Sequence, residues 1–241
     1  MNGPQPDVLV LIPAFNEQGA VGTVVQEVAG ALPDVPVLVV DDCSTDATAA
    51  VARAAGAQVL SLPYHLGLGG CVQAGYKLAC ELGFRHVIRV DGDGQHDPSE
   101  IPKILSTLKS SGCEMVIGSR FVNGNGEHTS LVRAAGIWFF RLMLRPILGR
   151  RVHDPTSGFV GVNRGALEVF SRSFPLEYPE IEALVVLQRK RFRFQEVEVH
   201  MRPRLAGRST ITPLRSLYYI FHVLMGVFVN ILKYEKQRRK A

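Results

Sequence analysis

The chain has 241 residues, room for one large domain or a domain with an appendage, and its 46% hydrophobic share can fill a sizeable core. Its formal net charge of +5 points to an anionic partner or surface without identifying it, and no motif calls for nucleic acid. Cys43, Cys71, Cys80 and Cys113 lack paired metal-ligand spacing, and no secretory signal precedes the first apolar run, so they read as free cytosolic thiols.

Taken in order, strands and helices alternate. Val8 to Ile12 is an unbroken β-branched and leucine run, as in a parallel strand covered on both faces, and Pro13 is expected to end it. Gly19 to Leu32 carries Val21, Val24, Val25 and Val28 at helical spacing. A second strand is expected over Val35–Val40, ending at Asp41-Asp42, and then a helix capped by Ser44 or Thr45 and running through Ala54. Val59–Leu62 reads as a third strand, Leu68–Leu82 as a helix, His86–Val90 as a fourth strand, Ile101–Ser110 as a helix and Met115–Ser119 as a fifth strand. Such alternation implies a doubly wound parallel sheet, whose ligands lie beyond the carboxyl ends of the strands.

Asp41, Asp42, Asp91 and Asp93 all fall at such ends, as does Pro13-Ala14-Phe15-Asn16-Glu17. Two carboxylates one residue apart, Asp91 and Asp93, can share a hard divalent cation that bridges protein to phosphate. Each residue also has a plainer reading. Asp91 and Asp93 also read as solvated turn residues, Asp42 as a cap for the next helix, and Glu17 as a first-turn carboxylate favoured by the helix dipole. Gly67, Gly69, Gly70 and Gly75 fit tight turning and close packing; their run has neither the Gly-Lys-Ser/Thr ending of a P-loop nor the position of a dinucleotide fingerprint.

Pro13-Ala14-Phe15-Asn16-Glu17, Asp41-Asp42-Cys43-Ser44-Thr45-Asp46, Gly67-Leu68-Gly69-Gly70, Asp91-Gly92-Asp93 and Gly118-Ser119-Arg120 occur in an order that resembles a family 2 glycosyltransferase of the GT-A fold. The resemblance covers roughly residues 7 to 210. Within that family, Asp154-Pro155-Thr156-Ser157-Gly158-Phe159 and Arg204-Leu205-Ala206-Gly207-Arg208-Ser209 are similar to segments of the polyprenol-phosphate sugar synthases. The fold this implies is a Rossmann-like mixed sheet flanked by helices.

The resemblance also implies roles. Pro13, Phe15 and Glu17 line a nucleoside pocket, and Asp42 holds base or ribose. Asp91 contacts ribose or diphosphate. Asp93 coordinates Mg²⁺ or Mn²⁺, with Asp91 and Gln95 as further candidate ligands. Arg120 and Arg133 meet phosphate near the acceptor, and Arg204 clamps the donor diphosphate. Two positions depart from the pattern: Thr210 follows Gly207-Arg208-Ser209 where the subgroup has Lys, and Gly92 replaces the commoner Ala. The first leaves the donor open between GDP-mannose and UDP-glucose types.

Inverting transfer to a sugar hydroxyl needs a general base, for which Asp154 is the candidate by position; its plainer reading is a cap beside Pro155. A polyprenyl phosphate is already ionised and needs cations instead, which Arg120 and Arg133 supply. The catalytic candidates are therefore Asp93, Asp154, Arg120 and Arg133. Two other readings stand beside the lipid-phosphate acceptor: a glycan hydroxyl acceptor, and a non-catalytic nucleotide-sugar-binding scaffold.

The second half is more apolar and basic. Ile137–Arg145 reads as a core helix or as an interfacial helix lining a lipid groove. Tyr178–Arg191 reads as a helix with Glu180 and Glu182 near its start, facing an acceptor pocket or favouring the helix terminus, and Gln195–Met201 as a strand. Residues 1–210 are expected to form the transferase domain. Over 211–241, the apolar run Leu214–Leu232 is followed by Lys233, Lys236, Arg238, Arg239 and Lys240. A span needs about 20 apolar residues. The run is expected to dock on the cytoplasmic face of a membrane, with a true span or burial in a homo-oligomer as alternatives. The chain is too short for a multi-span domain, so any such membrane partner is expected to be a separate protein.

Overall fold

In this computed structural model, residues 7–122 and 131–203 are described, with only the backbone course of 131–135. The first strand, β1 (Val8–Ala14), is buried along its whole length. Its alternate residues enter two separate cores. Leu9 and Leu11 pack with the helices α3 (Gly67–Glu81), α5 (Leu131–Leu148), α6 (Arg164–Arg172) and α7 (Pro179–Arg189). Val8, Val10 and Ile12 pack with α1 (Val21–Ala31), α2 (Thr48–Ala54) and α4 (Ile101–Ser111). A strand covered on both faces has no polar side to show, which is why the run is continuous in apolar residues.

The remaining strands are β2 (Val37–Asp41), β3 (Gln58–Ser61), β4 (His86–Arg89), β5 (Met115–Ser119), β6 (Val160–Asn163) and β7 (Phe194–Glu198). They form one seven-stranded sheet in the order β3-β2-β1-β4-β6-β5-β7. The sheet is mixed, because β6 runs antiparallel to both β4 and β5. The purely parallel sheet implied by strand–helix alternation is thereby corrected, and the mixed sheet implied by the family resemblance is found.

Neither β6 nor α6 stood out in the sequence. Gly161 interrupts the apolar run of β6, and the structure explains it: a Cβ there would lie 2.8 Å from Ile88 Cδ1 and 2.9 Å from Ile104 Cγ2. The strand crosses where only a hydrogen fits.

Pro13 does not end β1, which continues to Ala14. Ala14 turns its carbonyl toward β2, where Asp42 N–H donates to it, so Pro13 faces the β4 side. Pairing with β4 has already stopped at Leu11 and Arg89, so the missing proline donor breaks no ladder bond. Ser44 and Thr45 do not cap α2, which starts at Thr48. Both are engaged with Asn16 instead. The apolar helix expected over Ile137–Arg145 is longer at both ends, and Arg133 lies in its first turn, with its side chain outside the described residues. Among the described residues no helix is long and apolar enough to cross a membrane. Residues 204–241, with Arg204, the 210/211 domain boundary and the apolar C-terminal run, lie outside the described residues.

Candidate active site

The chain leaves β1 toward β2 on one side and returns to β4 on the other, which makes the β1/β4 boundary a topological switch point. The Asp91-Gly92-Asp93 turn follows β4 at that point. Gly92 rides against the end of β1, where a Cβ would come 3.2 Å from Pro13 O.

The loops after β1 and β2 are stitched together. Asn16 N–H donates to Ser44 Oγ at 2.9 Å, and Thr45 N–H donates to Asn16 Oδ1 at 2.9 Å. Glu17 N–H donates to Thr48 Oγ1 at 2.8 Å, and Ala47 N–H to Gln18 Oε1 at 2.9 Å. Asn16 and Cys43 hold positive φ angles of 55° and 61°, so each loop turns sharply to meet the other. The carbonyl of Glu17 also accepts the amides that open α1.

Asp42 is buried, and both its oxygens are used. Oδ1 accepts from Leu66 N–H at 2.7 Å, just ahead of α3, and Oδ2 lies 3.0 Å from His65 Nδ1. It thus ties down the start of α3 rather than that of α2. The His65 ring lies against half-exposed Phe15, with centroids 4.2 Å apart. Phe15, His65 and Asp42 thus lie side by side, the two rings partly open to solvent and the carboxylate buried beneath.

Around the acidic turn the charges interlock. Arg89, only 2% exposed, reaches Asp91 Oδ1 at 3.1 Å and Glu180 Oε1 at 2.8 Å. Burial works to lower its pKa, but the Asp91 and Glu180 carboxylates outweigh burial and hold it above the usual arginine value. His96 is buried, stacks on Phe159 at 4.8 Å and accepts the Asp91 amide at Nδ1, 3.0 Å away. An amide can only donate, so Nδ1 is unprotonated and the ring is neutral. Burial pushes the His96 pKa below 6.5 against the pull of Asp91, and Arg89, Asp93 and Arg120 are also close enough to be felt. Asp93 is buried and accepts from Gln95 N–H at 3.0 Å, which closes the turn.

A second cluster forms beside β5. Asp154, with no side-chain exposure, is gripped by Arg120 in a two-pronged pair, Nε to Oδ2 at 2.7 Å and Nη2 to Oδ1 at 2.8 Å. Thr156 Oγ1 adds a contact to Oδ1 at 3.2 Å. Glu196 on β7 holds the preceding backbone, accepting from the amides of His153 and Asp154. Arg120 and Arg141 both lie over the Phe121 ring, 5.3 and 5.0 Å from its centroid.

The segment after β7 closes over the acidic turn. Met201 bridges His96, and Arg202 N–H donates to Gln95 O at 2.8 Å. The Arg202 guanidinium joins Asp97 and Glu27 at 2.7 and 2.8 Å.

The structure therefore brings Asp91, Asp93, Gln95, Arg120 and Asp154 around one end of the sheet, with Pro13, Phe15, Glu17 and Asp42 on the adjoining loops. The Arg133 side chain and Arg204 lie outside the described residues. The sequence reading did not single out Arg89, His96, Glu196 or Arg202 for the site. Only Arg89, a charge inside an apolar strand, gave a signal that could have been used.

Asp91, Asp93 and Gln95 are all hard oxygen donors, the chemistry that suits Mg²⁺ or Mn²⁺. Among the described residues no group of three or more His, Cys, Asp or Glu could hold a metal alone. A cation held by Asp91 and Asp93 would need phosphate and water to complete its coordination.

The Glycosyl transferase family 2 model matches residues 9–170, more than half the chain. The chain belongs to this family. It is 31% identical over 180 residues to a polyprenol monophosphomannose synthase of Mycolicibacterium smegmatis, covering 68% of this chain and 64% of that protein. It is 27% identical over 247 residues to a UDP-N-acetylglucosamine–dolichyl-phosphate N-acetylglucosaminyltransferase of Methanococcus voltae, covering 93% and 91%. The first of these matches spans less than two thirds of its relative. Among solved structures, a Mycobacterium tuberculosis glucosyl-3-phosphoglycerate synthase, crystallised with Mn²⁺, UDP and phosphoglyceric acid, shares the fold. Its TM-score is 0.71 at 21% identity, over 92% of this chain and 78% of that one.

Proposed function

We propose that the protein is a metal-dependent, inverting glycosyltransferase that moves one sugar from a nucleoside-diphosphate sugar to a polyprenyl phosphate. The observation that carries the acceptor is the Arg120–Asp154 pair. Both oxygens of the fully buried Asp154 side chain are engaged by the partly buried Arg120 guanidinium. A carboxylate so held is poorly disposed to take a proton from a sugar hydroxyl, but it fixes a cationic arginine in one orientation. A lipid phosphate arrives ionised and asks for that cation and for no base. Relatives named for polyprenol and dolichyl phosphate support the same acceptor class.

On the donor side, Phe15 and His65 offer a face to the base, and Asp42 lies beside the ribose. Asp91 and Asp93, with Gln95, would hold the cation that serves the diphosphate. Bound there, Mg²⁺ or Mn²⁺ supplies positive charge as the nucleoside diphosphate departs. Arg133 and Arg204 are assigned to acceptor phosphate and donor diphosphate respectively, with GDP-mannose and UDP-glucose as the leading donor types. The apolar, basic stretch after residue 211 is assigned to attachment at a membrane surface, where the acceptor resides.

The test is incubation with a donor panel, a divalent cation and a short-chain polyprenyl phosphate. Sugar-phosphate-lipid product supports the reading; product that forms only on a free saccharide hydroxyl overturns it.

A further inference from the structure

β4 is otherwise apolar where it crosses the core. Val87, Ile88 and Val90 are fully buried, yet Arg89 sits among them. Its surroundings include Tyr76, Met115, Phe170 and Phe174, which also line a small internal gap. A buried guanidinium is costly, and an apolar residue of similar volume often does the packing job as well or better. The charge must therefore be accounted for by what it holds. On one side that is Asp91 of the acidic turn; on the other it is Glu180 in the first turn of α7. Gly158, in the segment leading to β6, closes the same space. A Cβ there would lie 2.8 Å from Arg89 Nη2 and 2.9 Å from Asp91 Oδ2, so the segment's backbone packs against the ion pair.

We propose that Arg89 is a positioning residue for the cation–diphosphate complex: it orients the Asp91 carboxylate from behind and is itself held by Glu180. Arg89 is too deeply buried to meet substrate. It acts through Asp91, and α7 is thereby joined mechanically to the donor site. This inference rests on the proposed assignment of Asp91 and Asp93 to a cation–diphosphate complex.

The test uses the full chain and reads Mn²⁺ binding by electron paramagnetic resonance with UDP or GDP present, alongside the melting temperature of metal-free protein. Arg89→Met and Glu180→Leu are expected to weaken Mn²⁺ binding in the nucleotide complex by about tenfold or more, the range for losing a residue that orients a metal ligand. Gly158→Ala, which wedges a methyl into the pair, is expected to act in the same direction. Arg89→Lys should restore binding only in part, because one ammonium cannot serve both carboxylates with a planar fork. If Arg89→Met does not fold, Glu180→Leu and Gly158→Ala decide the matter. Folded variants that bind Mn²⁺ and nucleotide like the wild type, whatever their melting temperature, overturn the positioning role while leaving the proposed function intact. A wild type that binds no Mn²⁺ with either nucleotide overturns both.

Discussion

Asp93 is buried at the tip of its turn and pinned by the Gln95 amide, so its carboxylate is presented in a fixed direction. Asp93→Ala is expected to lower kcat by about 10² or more, the scale for losing a main source of transition-state charge stabilisation, with an unchanged circular dichroism spectrum. Arg120→Ala should lower kcat/KM for lipid phosphate by a similar factor, read from initial rates over acceptor concentration. His96 offers a pH test. Its folded pKa lies below 6.5 because burial disfavours the imidazolium. The unfolded chain therefore binds the extra proton first. The His96 contribution to stability is complete above the ordinary value and is lost as pH falls below it. Nitrogen-15 NMR should show a neutral His96 ring with unprotonated Nδ1 at neutral pH; a ring titrating at or above 6.5 contradicts this.

At the level of elements, β1 and β6 show why parts of the fold were legible and parts were not. The run Val8–Ile12 announced a strand because both its faces are covered by helices. The four residues of β6 announced nothing, because close packing against Ile88 and Ile104 demands glycine in the middle of the strand. Gly161→Ala should therefore destabilise by about 1–3 kcal/mol through overpacking, read as a lower denaturation midpoint with little change in m. The strand-end positions of the loops after β1, β2 and β4 were legible in the same way. The Arg89–Glu180 link was not, because its partners are ninety-one positions apart and neither belongs to a motif. Ser44 and Thr45 look like helix caps in sequence. The structure turns them toward Asn16, a contact that spacing along the chain does not encode.

For the whole molecule, the sheet sets the proposed donor and acceptor sides next to each other: Asp91 and Asp93 follow β4, Arg120 follows β5, and antiparallel β6 lies between those strands. The +5 charge and the basic, apolar C-terminal sequence are the grounds for the proposed attachment at an anionic surface. A version ending at Thr212 is expected to move from the membrane to the soluble fraction on detergent-free fractionation; equal membrane retention would remove the anchor role. The central claim concerns the bond that is made. Full-length protein supplied with GDP-mannose or UDP-glucose, Mg²⁺ or Mn²⁺, and short-chain polyprenyl phosphate should yield one sugar joined through phosphate to the lipid with inverted anomeric configuration, and chelation of the cation should stop it. Retention of configuration, cation-independent transfer, or no lipid-linked product from any donor would contradict the account.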